Sequence, residues 1–162
     1  MGVNIHPYAE VKKEDKWIAV TARVFPLTHW EVQTKGHTHT SRPFKWRSYP
    51  LFGFLGNTCN YSASEYLSDK RGIPDDSPTK LQPGDPNYEG FYGHSWVSLR
   101  ELIEFDYNKG FEDRRSGMET VEPGKGKKIL YKDFLGTHFF EHLETLKTLG
   151  DVDNVRIVFW FD

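Results

Sequence analysis

The sequence predicts an α+β fold: a small mixed or antiparallel sheet formed by both chain ends, about three helices and a long irregular loop. Three observations predict it. Strand-like segments lie at the two ends, "VNIHPYAE" and "WIAVTARVF" at one and "VRIVFWF" at the other. Helical spacing of apolar residues is confined to short stretches between them. Four of the nine prolines (74, 78, 83 and 86) fall within residues 58–93, which reads as loop throughout. A loop of that length in a small domain is usually functional or mobile.

The elements follow in order. Residues 3–10 alternate weakly and residues 17–25 are rich in β-formers, so the charged "KKEDK" between them reads as the five-residue loop of a hairpin. Pro7 places the first strand on an edge or at a bulge, because proline donates nothing to a ladder. Residues 26–46 read as irregular. The stretch 50–57 is apolar on all sides and opens with Pro50, so it predicts a short buried helix. "SLRE", residues 98–101, is a capping box with Ser98 as N-cap and Glu101 three residues on, and Val97 and Leu102 occupy the staple positions. This helix is expected to run to about Tyr107. Residues 108–130 read as a polar excursion. A last helix over 132–149 carries Leu135, Phe139, Leu143 and Leu146 on one side and stops at Gly150. Residues 155–161, apolar on both faces, predict a central strand.

The chain's 162 residues suit a single domain spanning 1–162. With 37% apolar residues and a mean hydropathy of -0.65, it reads as soluble. No apolar run approaches the roughly 18 residues a membrane span needs, and "MGVNIHPYAEV" lacks the basic and apolar regions of a signal peptide. The single cysteine, Cys59, permits no internal disulfide and fits a reducing cytoplasm. A net charge of -2 argues against general attraction to a nucleic-acid polymer or an anionic membrane. Aromatic residues reach 15%, a supply of stiff surface that suits a core, an interface or the stacking of a base. A homo-oligomer stays open on this composition.

Three segments together resemble a family of small tailed-phage proteins, mostly of unassigned function. One is "RSYPLFGFLGN", similar to that family's Arg-x-Tyr-x-Leu-Phe-x-x-Leu signature. Another is "RGIPDDS", residues 71–77, followed by "GHSWVSLREL". The third is the terminal "NVRIVFWFD", with "VNIHPYAEV" at the opposite end. These matches span most of the chain in order. Trp96 departs from the family, which commonly has a second histidine there. Phages encode compact proteins that capture nucleotide signals of bacterial defence, cyclic nucleotides and ADP-ribose derivatives among them. By analogy, the resemblance implies a phage anti-defence protein that binds and sequesters such a signal in the cytoplasm of the infected host.

The residues offer one constellation for that chemistry. Arg47, Ser48 and Tyr49 precede the 50–57 helix, and His94 and Ser95 precede the 98–107 helix. Helix N-termini present free N–H groups and partial positive charge, so both mouths suit phosphate. Arg47 can fork onto a phosphate, while Trp46, Tyr49, Tyr92 and Trp96 are placed to stack on a base. Asp75 or Asp76 can accept from a ribose hydroxyl. The plainer alternative pairs Arg47 with an acid, puts Trp96 in the core and lets the aspartates cap turns.

Two histidine patterns compete. "HFFEH", residues 138–142, fits the His-x-x-Glu-His zinc pattern, but it borders the apolar stripe and shows no third ligand. "HTHT", with His37 and His39, offers the His-x-Thr unit of two-histidine phosphodiesterases, but both copies lie in one stretch. No motif asks for a cofactor or a metal. Three function classes remain: sequestration of a small nucleotide-type ligand, its cleavage by a phosphodiesterase, and direct inhibition of a host defence protein through the aromatic surface. The balance of motifs favours a binding protein over an enzyme.

Overall fold

The charged reversal near the N-terminus is tighter than predicted. Glu14 and Asp15 both take positive φ, 51° and 62°, the combination that lets a two-residue turn follow the twist of its strands. The ladder between β1 (Ile5–Lys13) and β2 (Lys16–Ala19) therefore closes at Lys13↔Lys16 rather than before a five-residue loop. The computed structural model describes residues 2–79 and 88–162. Next come β3 (Phe25–Pro26), α1 (His29–Lys35), β4 (His39–Thr40) and α2 (Tyr49–Gly56). A single 3₁₀ turn at Tyr88–Gly90 leads into β5 (Tyr92–Ser98) and α3 (Leu99–Glu104). The rest of the chain forms β6 (Gly110–Asp113), β7 (Arg115–Ser116), β8 (Glu119–Thr120), β9 (Lys127–Leu130), α4 (Tyr131–Leu135), α5 (Thr137–Lys147) and β10 (Val155–Phe161).

The main sheet is antiparallel, in the order β2-β1-β10-β5, so both chain ends build it. β10 lies inside it and every one of its residues is buried. Pro7 pairs with Phe159 on one side, while β2 flanks only Glu10 to Lys13 on the other. The proline thus occupies the part of β1 that is still an edge, where its missing N–H removes no ladder bond. One face of the sheet, with Ile5, Ala9, Val11, Val97, Ile157, Phe159 and Phe161, packs against α2, α3 and α5 through Phe52, Leu55, Leu102, Phe139 and Leu146. Alternation sends His6, Tyr8, Glu10, Trp96, Arg156, Val158 and Trp160 to the opposite, outer face.

The "YGHSWVS" stretch is a strand, not the approach to a helix mouth. Its aromatic and β-branched residues suit a pleated, half-buried surface. Ser95 pairs with Phe159 and Tyr92 with Phe161. Two residues of β5, Gly93 and His94, thus oppose Trp160 alone, which makes a β-bulge. Gly93 takes φ +66°, and a Cβ there would meet Phe161 at 3.0 Å, so glycine is required. The bulge sets Tyr92 beside Phe161, while His94, in ordinary alternation with Ser95 and Trp96, lies against Trp160.

The capping box forms as read. Ser98 Oγ accepts from the Glu101 N–H at 3.1 Å, and Glu101 Oε1 accepts from the Ser98 N–H at 3.1 Å. Ser98→Ala is expected to cost about 0.5–2 kcal/mol in chemical denaturation. α3 ends at Glu104 rather than near Tyr107, because Phe105 turns extended at φ -65° and ψ 136° and packs edge-on against Phe54. The last predicted helix is two helices. Gly136, at φ 82° and ψ 167°, holds a conformation that breaks α4 from α5. The polar excursion contains two small ladders, β6 with β9 and β7 with β8. α1 was not predicted, although Thr28 and Glu31 form a capping box of their own. The described residues therefore hold five α-helices rather than about three.

Candidate functional site

Arg47, Ser48 and Tyr49 come together where α2 begins. Ser48 is the N-cap, and its Oγ accepts from the Leu51 N–H at 3.3 Å. Pro50, at the second helical position, has no N–H to offer, so the helix mouth contributes little donor capacity beyond Tyr49. Side chains supply the rest. A depression of about 590 Å³ is lined by Gly2, Arg47, Ser48, Tyr49, Pro50 and Arg115. Arg115 arrives from β7 with its guanidinium 4.9 Å from the centre of the Tyr49 ring. Its Nε donates to the Gly117 carbonyl at 2.8 Å, and Arg47 Nη2 donates to the Asn4 side-chain oxygen at 2.7 Å. Both guanidinium groups meet neutral acceptors, and among the described residues neither forms an ion pair. The Arg47-acid pairing considered as an alternative is not found among the described residues. Sequence reasoning missed Arg115, because no local signal ties residue 115 to residue 49.

Tyr92 belongs to the same end of the sheet. Burial pushes its phenol above the usual tyrosine range, with Cys59, Asp162, Tyr61 and Tyr49 adding to the effect. It stays a protonated donor at neutral pH.

The other predicted residues lie elsewhere, and among the described residues the two predicted mouths do not share one pocket. Ser95 is fully buried beneath β5, where its Oγ meets Ser68 Oγ at 2.7 Å and accepts from the Arg71 N–H. Trp96 lies on the outer face with the Arg71 guanidinium 5.0 Å from its ring centre. Glu101 clamps that same guanidinium at 2.8 and 2.6 Å. Asp76 is held by Arg156 at 2.9 Å, and that bond keeps its carboxyl below the usual aspartate range. Asp75, its neighbour, is exposed. His94 lies half-buried on the outer face, where burial lowers its pKa and keeps the ring neutral at pH 7. Trp46 packs on His138 with ring centres 4.3 Å apart, away from the stacking role read for it.

The histidine patterns resolve into structure. His142 is buried, and both ring nitrogens are engaged: Nδ1 accepts from the Phe44 N–H and Nε2 donates to the Pro26 carbonyl. A ring so occupied has no lone pair for zinc. His138 Nδ1 lies 3.7 Å from Glu141. His37 bonds the Lys35 carbonyl and His39 bonds Thr38, both in the short loop and strand that follow α1. Among the described residues no group of three or more His, Cys, Asp or Glu side chains is placed to hold a metal ion. Cys59 is half-buried, and burial raises its thiol above the usual range. A thiol so shifted is a poor nucleophile.

Compared with protein-family models, with curated proteins and with solved structures, the chain matches none.

Proposed function

We propose that this chain is a binding protein that captures a small phosphorylated ligand at the mouth of α2, and that the ligand is a nucleotide-type immune signal sequestered by a phage-encoded anti-defence protein in the cytoplasm of the infected host. One observation carries the reading: Arg47 and Arg115 enter one depression beside Tyr49, with no carboxylate partner among the described residues. Two permanent cations fork onto phosphate oxygens. Tyr49, already under one guanidinium, is among the described residues the aromatic side chain lining the depression and the one placed to meet a base. Among the described residues the lining of the depression includes no histidine, carboxylate or thiol to act as general base or nucleophile, which favours sequestration over cleavage. No helix among the described residues is long and apolar enough to cross a membrane.

The test is a panel of cyclic nucleotides and ADP-ribose derivatives titrated by calorimetry, with the mixture analysed by mass spectrometry before and after heating. Arg47→Ala and Arg115→Ala are each expected to weaken binding by roughly 10- to 150-fold, the loss of one charge-assisted contact of about 1.5–3 kcal/mol. Both variants should melt cooperatively, and the heated parent should release the ligand intact. Altered ligand would assign cleavage instead. A parent that binds no member of the panel, or variants that bind as the parent does, would remove the reading.

A further inference from the structure

Trp160 carries an observation that the α2 depression does not absorb. Its ring is 3% exposed, and its Nε1–H has no acceptor among the described residues. Buried donors are almost always paired, so an orphan donor asks for an explanation. Its neighbours on the outer face are rings. Tyr8 lies 5.3 Å away centre to centre, His94 5.8 Å and His6 6.3 Å, all with planes within 30° of the indole, and Phe91 lies 6.0 Å away at 35°. His94 joins this row by ordinary alternation with Ser95 and Trp96, and the Gly93 bulge lies directly beside it, where Gly93 and His94 oppose Trp160. Bulges of this kind recur where a side chain must be re-aimed beside a site.

The hydrogen-bonding inventory is specific. The His94 ring makes no hydrogen bond among the described residues, and being neutral it offers one donor and one acceptor. Charged groups stand only at the margins. Asp162 Oδ2 is 3.2 Å from His6 Nε2. The Arg42 guanidinium lies 4.5 Å from the Tyr8 ring centre, with its Nε committed to the Pro7 carbonyl. The row therefore offers apolar ring surface, the fixed Trp160 donor, the His94 ring able to donate or accept, and two further polar atoms, the Tyr8 hydroxyl and a His6 Nε2 that makes no hydrogen bond among the described residues. That is the complement of an uncharged heteroaromatic ring with acceptors on its edge.

From the orphan Trp160 N–H and the row of parallel rings around it, we infer that the outer face of the sheet is a nucleobase site, with Trp160 Nε1 donating to a ring acceptor and His94 completing the base edge. Tyr8 and Phe91 supply stacking surface. The inference stands apart from the Arg47–Arg115 depression, because a nucleoside has the base and lacks the phosphate.

The test uses the full chain with ¹⁵N-labelled tryptophan and the four neutral ribonucleosides as probes. The chain holds five tryptophans, and Trp160→Phe assigns the indole signal of interest. At least one nucleoside should shift that signal saturably, while the signal of Trp30, 71% exposed, stays in place. Trp160→Phe keeps an aromatic ring and removes only the donor, so affinity should fall by roughly 5- to 10-fold. His94→Ala, at a half-buried position, should weaken binding similarly, and His94→Gln should restore part of it. Arg47→Ala should leave the titration unchanged, so failure here and failure of the phosphate reading are separate results. A Trp160 signal unmoved by all four nucleosides at millimolar concentration would overturn the inference, as would Trp160→Phe and His94→Ala variants that both melt cooperatively and bind as the parent does.

Discussion

Replacing Glu10 with alanine is expected to remove about 3–5 kcal/mol of stability, the largest loss expected from any single substitution on the outer face. Glu10 is 0% exposed and its partner Arg156 is 6% exposed. They face each other across β1 and β10, with Arg156 Nε donating to Glu10 Oε1 at 2.8 Å. Ser77 donates to the second carboxylate oxygen, and the Arg156 guanidinium lies 3.8 Å from the centre of the Trp17 ring. Without Glu10 a buried cation and a buried hydroxyl lose their acceptor together. Asp76 still reaches Arg156, but its carboxylate is largely solvated and screened, so it offsets little. The Asp76 contact contributes above the usual aspartate range and fades as pH falls through its lowered folded pKa. Exchanging both Glu10 and Arg156 for apolar residues of similar volume should recover most of the loss, because the pair's desolvation penalty disappears with it. Urea unfolding of the two variants separates these outcomes. A Glu10→Ala variant within 1 kcal/mol of the parent, where about 3 is expected, would mean that water reaches the pair.

That ion pair also shows where the sequence stops being readable. "VRIVFWF" announces a strand buried on both faces, and the structure places it inside the sheet. It does not announce that Arg156 meets Glu10, because the partners are 146 residues apart and only strand register brings them together. Local chemistry was legible: the Ser98 box, the all-round apolar α2 and the proline at an unpaired part of β1. Signals that depend on one backbone angle were not. Gly136 reads as an ordinary glycine within a helical pattern, yet its φ of 82° makes two helices. Gly93 reads as part of a loop, yet its bulge decides which face Tyr92 joins.

The candidate site divides along the same line. Arg47, Ser48 and Tyr49 are consecutive, so they had to share the mouth of α2 once that helix was read. Arg115 comes from a two-residue strand with no hydrophobic pattern to mark it. The supposed second mouth at His94 failed for a physical reason. A capping box fixes where α3 starts, but it says nothing of the conformation before the cap, and β10 recruits that segment as a strand.

Acidification from pH 7 toward pH 4 is expected to cost the protein on the order of 3 kcal/mol through His142 alone. Burial lowers this imidazole from the ordinary 6.5 to about 4, and the nearby His138 adds to the shift. The Pro26 carbonyl and Glu31 act in the opposite direction. The geometry explains the resistance to protonation: Nδ1 already accepts from the Phe44 N–H at 3.0 Å. A proton on Nδ1 would set two donors against each other beside Phe25 and Phe44, both fully buried. It would also release Phe44, whose φ of 53° is strained for a non-glycine residue. The sign follows from proton counting. Between the two pKa values the unfolded chain binds a proton that the native state refuses, so stability rises with pH across that window and levels off above it. Below about 4 the native ring is protonated too, and this contribution to the slope ends. His94, also lowered by burial, titrates in the same direction, so the parent alone does not isolate His142. His142→Gln does, since an amide can still accept from one main-chain group and donate to another without titrating. This variant should be less stable than the parent at pH 7 and should lose much less on acidification. Urea midpoints at pH 7 and pH 4.5 make the comparison. An undiminished acid loss in His142→Gln would place the titrating group elsewhere in the fold.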